Sequence, residues 1–269
     1  MIFLITVFFL FLYLLFFWKW KKNKQKFYLE ERPIIFGHRG APTQITENTL
    51  LSFTKALEQG AEGFEFDIRL TSDGEIVIFH DDSLLRMCGV NIKIRELSYE
   101  ALQEHYLKKE KAQEESETIP LLEETVTIID KAQAVNIEIK SDALFDGHDI
   151  IKPFIEFLDL AQIDKKCIVS SFNPLILLKL KHKRPQTVIG LLYTSRTMLH
   201  SIYNMLWILI CRPDNLHIHY NFLDSWIVRW AKFKGMHINS YTINHKEVYE
   251  KAKELKIDGV FTDNIEYLK

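Results

Sequence analysis

The chain has 269 residues, of which 47% are hydrophobic and 26% charged, with a formal net charge of −2. This composition indicates a globular protein large enough for one substantial core, so a single barrel or sandwich domain is admissible. The near-neutral charge argues against nucleic-acid binding, and three widely spaced cysteines predict neither a disulfide framework nor a zinc site.

The N-terminal segment differs from the rest of the chain. Residues 1–18 carry no charge and would span ~27 Å as a helix, close to the ~30 Å hydrocarbon core of a bilayer. Five lysines follow this run instead of preceding it: Lys19, Lys21, Lys22, Lys24 and Lys26. A cleaved signal peptide would have the reverse order. We therefore expect an uncleaved single-pass transmembrane anchor over 1–18, a basic juxtamembrane linker over 19–32, and the rest of the chain on the cytoplasmic side.

From residue 33 onward, short β-branched or aromatic runs alternate with helical patterns. The predicted strands cover residues 34–38, 63–69, 75–80, 135–140, 167–171, 187–192, 215–220, 237–243 and 259–263. Predicted helices cover 48–59, 121–133, 148–161, 173–183, 224–234 and 245–256. Nine strands are one too many for a (β/α)8 barrel.

The extra strand belongs to a hairpin. The sequence LTSDG between the second and third runs is too short for a parallel crossover, so these two runs pair antiparallel. Without this excursion, eight strands joined by crossovers remain, which predicts a (β/α)8 TIM barrel over 33–269 with a hairpin after strand 2. A turn centred near residues 72–73 places Glu65 and Asp67 almost opposite His80.

Three carboxylates converge near predicted strand ends. Glu65 and Asp67 share one face of their strand because strand periodicity is two, and Glu138 and Lys140 repeat the arrangement on the next strand. Taken alone, each pair is more typical of a solvated face or an ion pair. Together they form an oxygen-rich set at the barrel end where active sites lie, which favours Mg²⁺ or Ca²⁺ as cofactor.

Two histidines accompany these carboxylates. His38 and His80 end predicted strands and could move protons in both directions, one from the attacking hydroxyl and one to the leaving oxygen. Arg39 and Lys140 add fixed positive charge that would offset the charge developing on a phosphoryl group. The residues thus predict phosphodiester cleavage.

Seven motifs in order carry a family resemblance: GHRG (37–40), ENTLLSF (47–53), GAEGFEFDIRLTSDGEIVIFHD (60–81), NIEIK (136–140), SSF (170–172), SYTIN (240–244) and GVFTDN (259–264). Over residues 33–269 the chain resembles the glycerophosphodiester phosphodiesterases, which are related to the phosphatidylinositol-specific phospholipases C. The resemblance implies metal-dependent hydrolysis of glycerophosphodiesters to glycerol 3-phosphate and an alcohol.

The same resemblance implies roles for ten residues. They are His38 and His80 as catalytic acid and base, Glu65, Asp67 and Glu138 as metal ligands, Arg39 and Lys140 as phosphate contacts, Glu47 and Asn48 as supports of the first loop, and Tyr241 in the substrate pocket. The family commonly has Trp where Tyr241 stands and Pro where Ile265 stands.

Several alternatives stay open. The competing functions are a lysophospholipase D-like activity on membrane lysophospholipids, a phospholipase C-like cut on the other side of phosphorus, and an inactive membrane-tethered binding barrel.

Three further runs have local interpretations. The HIH run at 217–219 fits pocket lining better than zinc binding. The apolar run 197–211 is typical of the core face of a barrel helix, or of a helix in the bilayer surface. The charged run 107–120 indicates a solvated loop. The alcohol, the preferred cation and the oligomeric state are not predicted.

Overall fold

Nine strands form one sheet that closes on itself. The computed structural model describes residues 2–23, 25–108, 116–142, 144, 149–194 and 198–268. The strands are β1 (Ile34–His38), β2 (Gly63–Leu70), β3 (Ile76–Ile78), β4 (Ala134–Ile139), β5 (Cys167–Ser171), β6 (Ile189–Tyr193), β7 (Asn215–His219), β8 (His237–Tyr241) and β9 (Gly259–Thr262).

Helices surround this sheet and also begin and end the described chain. They are α1 (Ile2–Phe16), α2 (Leu50–Glu58), α3 (Leu85–Cys88), α4 (Tyr99–Leu102), α5 (Val126–Ile129), α6 (Ile151–Ala161), α7 (Pro174–Lys183), α8 (Met198–Cys211), α9 (Trp226–Phe233), α10 (Lys246–Glu254) and α11 (Ile265–Leu268). Short 3₁₀ helices span Ile94–Glu96, Leu122–Thr125 and Tyr220–Phe222.

The predicted barrel with its hairpin is confirmed. β1 pairs in parallel with both β2 and β9, which closes the eight-stranded barrel, and the other barrel strands pair in parallel in chain order. β3 lies outside this circle and pairs antiparallel with β2, with Ile68 opposite Ile78 and Leu70 opposite Ile76. This register centres the turn at Asp73, as the sequence predicts.

Alternation along β2 separates the outer core from the interior of the barrel. Phe64 and Phe66 belong to the large apolar cluster between strands and helices, where the ring of Phe53 on α2 stacks 4.7 Å from that of Phe64. Burying each of these aromatic side chains is worth roughly 2–3 kcal/mol. The residues between them, Glu65 and Asp67, are thereby directed into the barrel.

The two ends of the barrel interior differ in composition. Phe27, Ile34, Phe36, Ala134, Ile168, Val188 and Phe261 form an apolar cluster. The carboxylates and histidines come later along their strands, toward the carboxyl ends. A site built there is the usual position for the active site of a (β/α)8 enzyme.

Helix α1 is shorter than the predicted anchor. Its 15 residues rise ~22 Å, against the ~30 Å hydrocarbon core of a bilayer. Within the described residues, no helix reaches the length and apolarity that crossing a membrane requires. The structure therefore does not support the predicted transmembrane helix over 1–18.

The segment predicted as a linker, residues 19–32, packs against the barrel. Trp20 and Phe27 are buried, and the indole nitrogen of Trp20 donates a hydrogen bond to the main-chain oxygen of Pro213 at 3.0 Å. The backbone N–H of Asn23 donates to Asp214 Oδ1 at 2.8 Å. These contacts attach the segment to the end of the barrel where β7 begins.

Other differences are local. The helical pattern over 121–133 becomes a 3₁₀ turn followed by the four-residue helix α5, and α3 and α4 were not predicted. The run 197–211 is helix α8 from Met198 onward, while residue 197 lies outside the described residues. Residues 109–115 of the predicted solvated loop also lie outside them, and Leu107 and Ile119 near its ends are buried.

Candidate active site

The loop after β1 begins the site with a tight turn. Arg39 has a left-handed φ of 55° and Gly40 a φ of 91°. A Cβ on Gly40 would lie 2.3 Å from Ser52 Oγ, so the approach of this loop to α2 requires glycine. The turn aims the backbone N–H of Arg39 at Glu65 Oε2, to which it donates at 2.9 Å.

Three buried carboxylates meet inside the barrel. Glu65, Asp67 and Glu138 each offer an oxygen within 4.8 Å of the others, and Asp67 faces Glu138 in the β2–β4 register. Lys140 Nζ lies 2.8 Å from Asp67 Oδ1 and also contacts Glu138 Oε1. Among the described residues, Glu65 Oε1 has no hydrogen-bond partner. The cluster thus leaves at least one buried oxygen available for a ligand.

Burial and mutual repulsion determine the charges of this cluster. Burial and the neighbouring charge of Asp67 raise the pKa of Glu65 to about 8. Burial also raises the pKa of Glu138, although Lys140 opposes this. Burial opposes ionisation of Asp67 too, but Lys140 and Arg39 hold its pKa below the ordinary value. A divalent cation would relieve this repulsion, and three carboxylates are hard ligands of the kind that Mg²⁺ and Ca²⁺ take. The residues present therefore fit a cation.

Asn48 holds one of these carboxylates in place. Its side-chain amide donates to Asp67 Oδ2 at 2.9 Å, and its carbonyl oxygen accepts from the backbone N–H of Asp67 at 3.2 Å. The preceding Glu47 accepts a hydrogen bond from the Arg39 guanidinium at 2.9 Å. Both residues lie beside the first loop, where the resemblance places them.

His38 is backed by an aspartate. Its Nδ1 lies 2.7 Å from Asp263 Oδ1, and Asn244 donates to the other oxygen of Asp263 at 2.7 Å. The remaining ring nitrogen, Nε2, is 4.0 Å from Glu65 Oε2. Burial lowers the pKa of His38, but the hydrogen bond to Asp263 and the charge of Glu65 more than offset it, so the pKa lies above its ordinary value.

His80 has a parallel arrangement on the other side of the site. Its Nδ1 lies 2.7 Å from Asp81 Oδ1, and Arg86 Nε donates to Asp81 Oδ2 at 2.6 Å. The same guanidinium donates to both oxygens of Glu47, at 2.6 and 3.0 Å. Burial lowers the pKa of His80, although the charge of Asp67 opposes the shift. In both histidines Nδ1 is bound, so Nε2 is the nitrogen left to act on a ligand.

One pocket collects most of the predicted site residues. A cavity of about 300 Å³ is lined by His38, Arg39, Glu65, His80, Glu138, Lys140 and Tyr241, with Phe172, His217 and His219 among the other lining residues. Asp67 is buried beside this lining through its contact with Lys140. A neighbouring cavity of about 410 Å³, lined by equal numbers of apolar and polar side chains, shares Lys140 with this pocket.

The HIH run contributes to the pocket wall. The side chain of His217 is fully buried, and its Nε2 lies 3.0 Å from the amide nitrogen of Asn239. His219 packs edge-on against Tyr241. Over the described part of the chain, the set Glu65, Asp67 and Glu138 is the one group of three metal-ligating side chains close enough for an ion. The structure thus places both histidines of the HIH run in the pocket lining.

Sequence reasoning assigned no role to four residues that contact the histidines or their aspartates: Asp81, Arg86, Asn244 and Asp263. A signal for the aspartates was present, since an aspartate directly follows His80 and another lies in the GVFTDN motif at the end of β9. Because β9 pairs with β1, that second aspartate necessarily comes close to His38.

The chain was compared with known families, curated proteins and solved structures. The model of the glycerophosphoryl diester phosphodiesterase family matches residues 38–267. A glycerophosphodiester phosphodiesterase of Caldanaerobacter subterraneus subsp. tengcongensis is 30% identical over 242 residues, covering 88% of this chain and 96% of the relative. The human protein named Lysophospholipase D GDPD1 is 25% identical over 279 residues, covering 90% and 85%.

Two crystal structures extend the comparison. The glycerophosphodiester phosphodiesterase of Thermotoga maritima superposes with a TM-score of 0.68 at 31% identity, covering 87% of this chain and 96% of the other. A phosphodiesterase of Oleispira antarctica, solved with the product sn-glycerol-3-phosphate, gives a TM-score of 0.77 at 29% identity, with coverages of 88% and 95%.

Proposed function

Because the chain belongs to the glycerophosphoryl diester phosphodiesterase family and is a phosphoric diester hydrolase, we propose that it hydrolyses glycerophosphodiesters to glycerol 3-phosphate and an alcohol. The observation that carries this proposal is the meeting of three buried carboxylates with His38 and His80 in one pocket. A relative solved with sn-glycerol-3-phosphate supports the same choice of product.

The proposed reaction assigns the histidines to proton transfer. One takes a proton from the attacking water, whose oxygen bonds to phosphorus, and the other gives a proton to the oxygen of the departing alcohol, both through Nε2. Asp263 and Asp81 orient the two rings by holding Nδ1. This orientation is what lets each ring present a single nitrogen to the phosphate.

Arg39 and Lys140 are the proposed phosphate contacts. Both line the pocket, and both are fixed by neighbouring carboxylates, so their positive charges are positioned before the substrate arrives. Fixed charges of this kind stabilise the charge that develops in a phosphoryl-transfer transition state.

Glu65, Asp67 and Glu138 are the proposed ligands of a divalent cation, Mg²⁺ or Ca²⁺. When bound, such an ion supplies Lewis-acid polarisation of the phosphoryl oxygens. Asn48 keeps Asp67 in the orientation that this role needs, through its two hydrogen bonds to that residue.

Product analysis tests the proposal. The chain is incubated with glycerophosphocholine or glycerophosphoethanolamine, and the products are separated. We expect glycerol 3-phosphate with free choline or ethanolamine. Release of glycerol with phosphocholine would instead indicate a phospholipase C-like cut on the other side of phosphorus. No product from any diester, with binding retained, would favour the inactive binding barrel.

Lysophospholipids are the second candidate substrates. Relatives named Lysophospholipase D cover most of this chain. Half of the side chains that line the 410 Å³ cavity next to Lys140 are apolar, so that cavity could take a hydrocarbon chain. Rates on lysophosphatidylcholine and glycerophosphocholine, measured side by side, decide between the candidates. If kcat/KM is lower for lysophosphatidylcholine than for glycerophosphocholine, the soluble diester remains the preferred substrate.

A cytoplasmic orientation is also a proposal. Its support is the excess of lysine after α1, at Lys19, Lys21, Lys22 and Lys26, because the anionic lipids of the cytoplasmic leaflet attract basic segments. A tag placed after residue 269 should resist protease added to intact cells and be digested after permeabilisation. Digestion in intact cells would contradict the orientation.

A further inference from the structure

Three helices expose large apolar side chains on their outer surfaces. On α8 these are Ile202, Tyr203, Leu206 and Ile210; on α9 they are Trp226 and Phe233; and on α1 and just after it they are Phe3, Ile5, Val7, Phe8, Phe9, Leu10, Tyr13 and Phe17. We call this set the apolar face. Exposed apolar surface of this extent is typical of an interaction site and not of ordinary solvent-exposed surface.

Helix α8 shows most clearly that this exposure exceeds what a barrel helix needs. Ile202, Leu206 and Ile210 share one side of the helix and are 46%, 43% and 51% exposed. The opposite side, including Met205 and Ile208, is buried in the core. The helix contains no Asp, Glu, Lys or Arg. A helix half covered by its own protein normally carries polar residues on the other half.

Contacts at the carboxyl ends of the three helices hold them together. The guanidinium carbon of Arg212, directly after α8, lies 4.1 Å from the ring centroid of Trp18. Lys234, directly after α9, donates through Nζ to the main-chain oxygen of Trp18 at 2.7 Å. Lys19 lies 5.0 Å from the ring of Phe233. Lys234 Nζ also donates to the main-chain oxygen of Leu14 at 3.0 Å. The last turn of α1 therefore lies between the carboxyl ends of α8 and α9, which makes the three helices neighbours on the surface.

The length of α1 and the charges at its end indicate which kind of partner covers the apolar face. At ~22 Å, α1 is too short to cross a bilayer, but it carries no charged side chain, which favours contact with acyl chains over contact with water. Exposed cations gather where the three helices meet, at Lys19, Lys21 and Arg212. Cations beside an apolar surface match anionic headgroups above acyl chains.

We propose that the apolar face docks into one leaflet of an anionic lipid membrane. This inference is independent of the proposed hydrolysis, since it holds for an inactive barrel as well. It has a consequence for the site, because α8 follows β6, whose last residue, Tyr193, accepts a hydrogen bond from the pocket residue Tyr241. Docking along α8 would therefore bring lipid close to the pocket end of the barrel, where α8 begins, while the cations lie at the opposite end of the helix.

Lipid titration tests the docking. The full chain is mixed with vesicles of phosphatidylcholine and phosphatidylglycerol, and the bound fraction is measured against lipid concentration. Replacing two exposed α8 residues, Leu206→Glu with Ile210→Glu, should raise the lipid concentration for half binding by about tenfold or more. The matched control is Leu160→Glu on α6, which is 82% exposed but lies outside the apolar face. It should leave half binding unchanged.

A second measurement needs no change to α8. Phosphatidylcholine brominated along its acyl chains should quench part of the tryptophan fluorescence, and Trp226→Phe should remove some of that quenching. Thermal midpoints of all variants are recorded, and if the α8 variant unfolds early, the quenching experiment decides alone. The proposal is overturned if the folded α8 variant reaches half binding at the same lipid concentration as the unaltered chain. It is also overturned if Trp226→Phe loses none of the quenching. A third contrary result would be that the unaltered chain associates with itself without lipid and the α8 variant does not, because a second copy of the chain would then cover the apolar face.

Discussion

The two ends of the barrel use the same kind of residue in opposite ways. At the amino end, Asp214 accepts hydrogen bonds from the backbone N–H groups of Ile189 and Asn23. Asp258 likewise accepts from the backbone N–H of Ile238 and contacts His237. Each oxygen of these two carboxylates has a hydrogen-bonding partner, so their charges stabilise the fold.

The carboxyl end concentrates its carboxylates instead. Glu65, Asp67 and Glu138 lie within 4.8 Å of one another, and two of the three have raised pKa values. Such an arrangement costs stability until a ligand balances the charge, which is why strongly perturbed groups in a cleft indicate function. The comparison teaches that the surroundings of a carboxylate, and not its type, separate the site from the scaffold.

The largest expected effect is on turnover at the carboxyl end. Asp67→Ala removes a proposed metal ligand and the partner of Lys140, so hydrolysis of glycerophosphocholine should fall by about 10³-fold or more. Asp67 also pairs with Lys140, Arg39 and Asn48, so the thermal midpoint should fall too, and turnover is compared at a temperature where the variant is fully folded. Near-normal activity at low cation concentration would contradict the three-carboxylate site.

The second largest expected effect is the loss of kcat when either histidine is replaced. His38→Ala and His80→Ala should each lower kcat by roughly 10²- to 10⁴-fold. Cation affinity, measured by calorimetry with Mg²⁺ or Ca²⁺, should change far less. If affinity and rate fell together, the histidines would be ligands and not proton carriers.

At the amino end we expect the reverse pattern. Asp214→Ala leaves the buried N–H of Ile189 without its acceptor and should lower the free energy of unfolding by roughly 2–4 kcal/mol. Below the unfolding transition kcat should be unchanged. Asp214→Asn keeps one acceptor oxygen and should lose less stability. A large loss of kcat in a folded Asp214→Ala protein would erase the distinction between the two ends.

The smallest effect is the pH dependence of cation binding. Glu65 must lose its proton to act as a ligand, and its pKa is raised to about 8. Cation affinity should therefore increase as the pH rises toward 8, by at most about tenfold per pH unit. Titrations at several pH values check this, and Glu65→Gln should bind more weakly with a flatter dependence. An equally steep dependence in Glu65→Gln would assign the proton to another group.

Much of the carboxylate site could be predicted because short-range geometry fixes it. The period of two along β2 puts Glu65 and Asp67 on one face, and the five-residue connection LTSDG forces the hairpin that brings His80 close. Parallel pairing of β2 with β4 then places Glu138 opposite Asp67.

What could not be predicted depends on contacts between distant or irregular segments. Asp263 reaches His38 across 225 residues, and only closure of the barrel brings them together. Arg86 lies on a four-residue helix with no periodic pattern to reveal it. The burial of Trp20 against the barrel could not be predicted either, because a tryptophan among lysines is equally typical of the juxtamembrane linker expected over 19–32.

The most direct test is a cation-restoration assay. The protein is stripped of metal with a chelator, and release of glycerol 3-phosphate from glycerophosphocholine is followed while Mg²⁺ or Ca²⁺ is added back. The carboxylate site predicts no measurable release in the stripped protein and recovery with one of the two ions, but no recovery in Asp67→Ala. Full activity of the stripped protein in excess chelator would contradict the account.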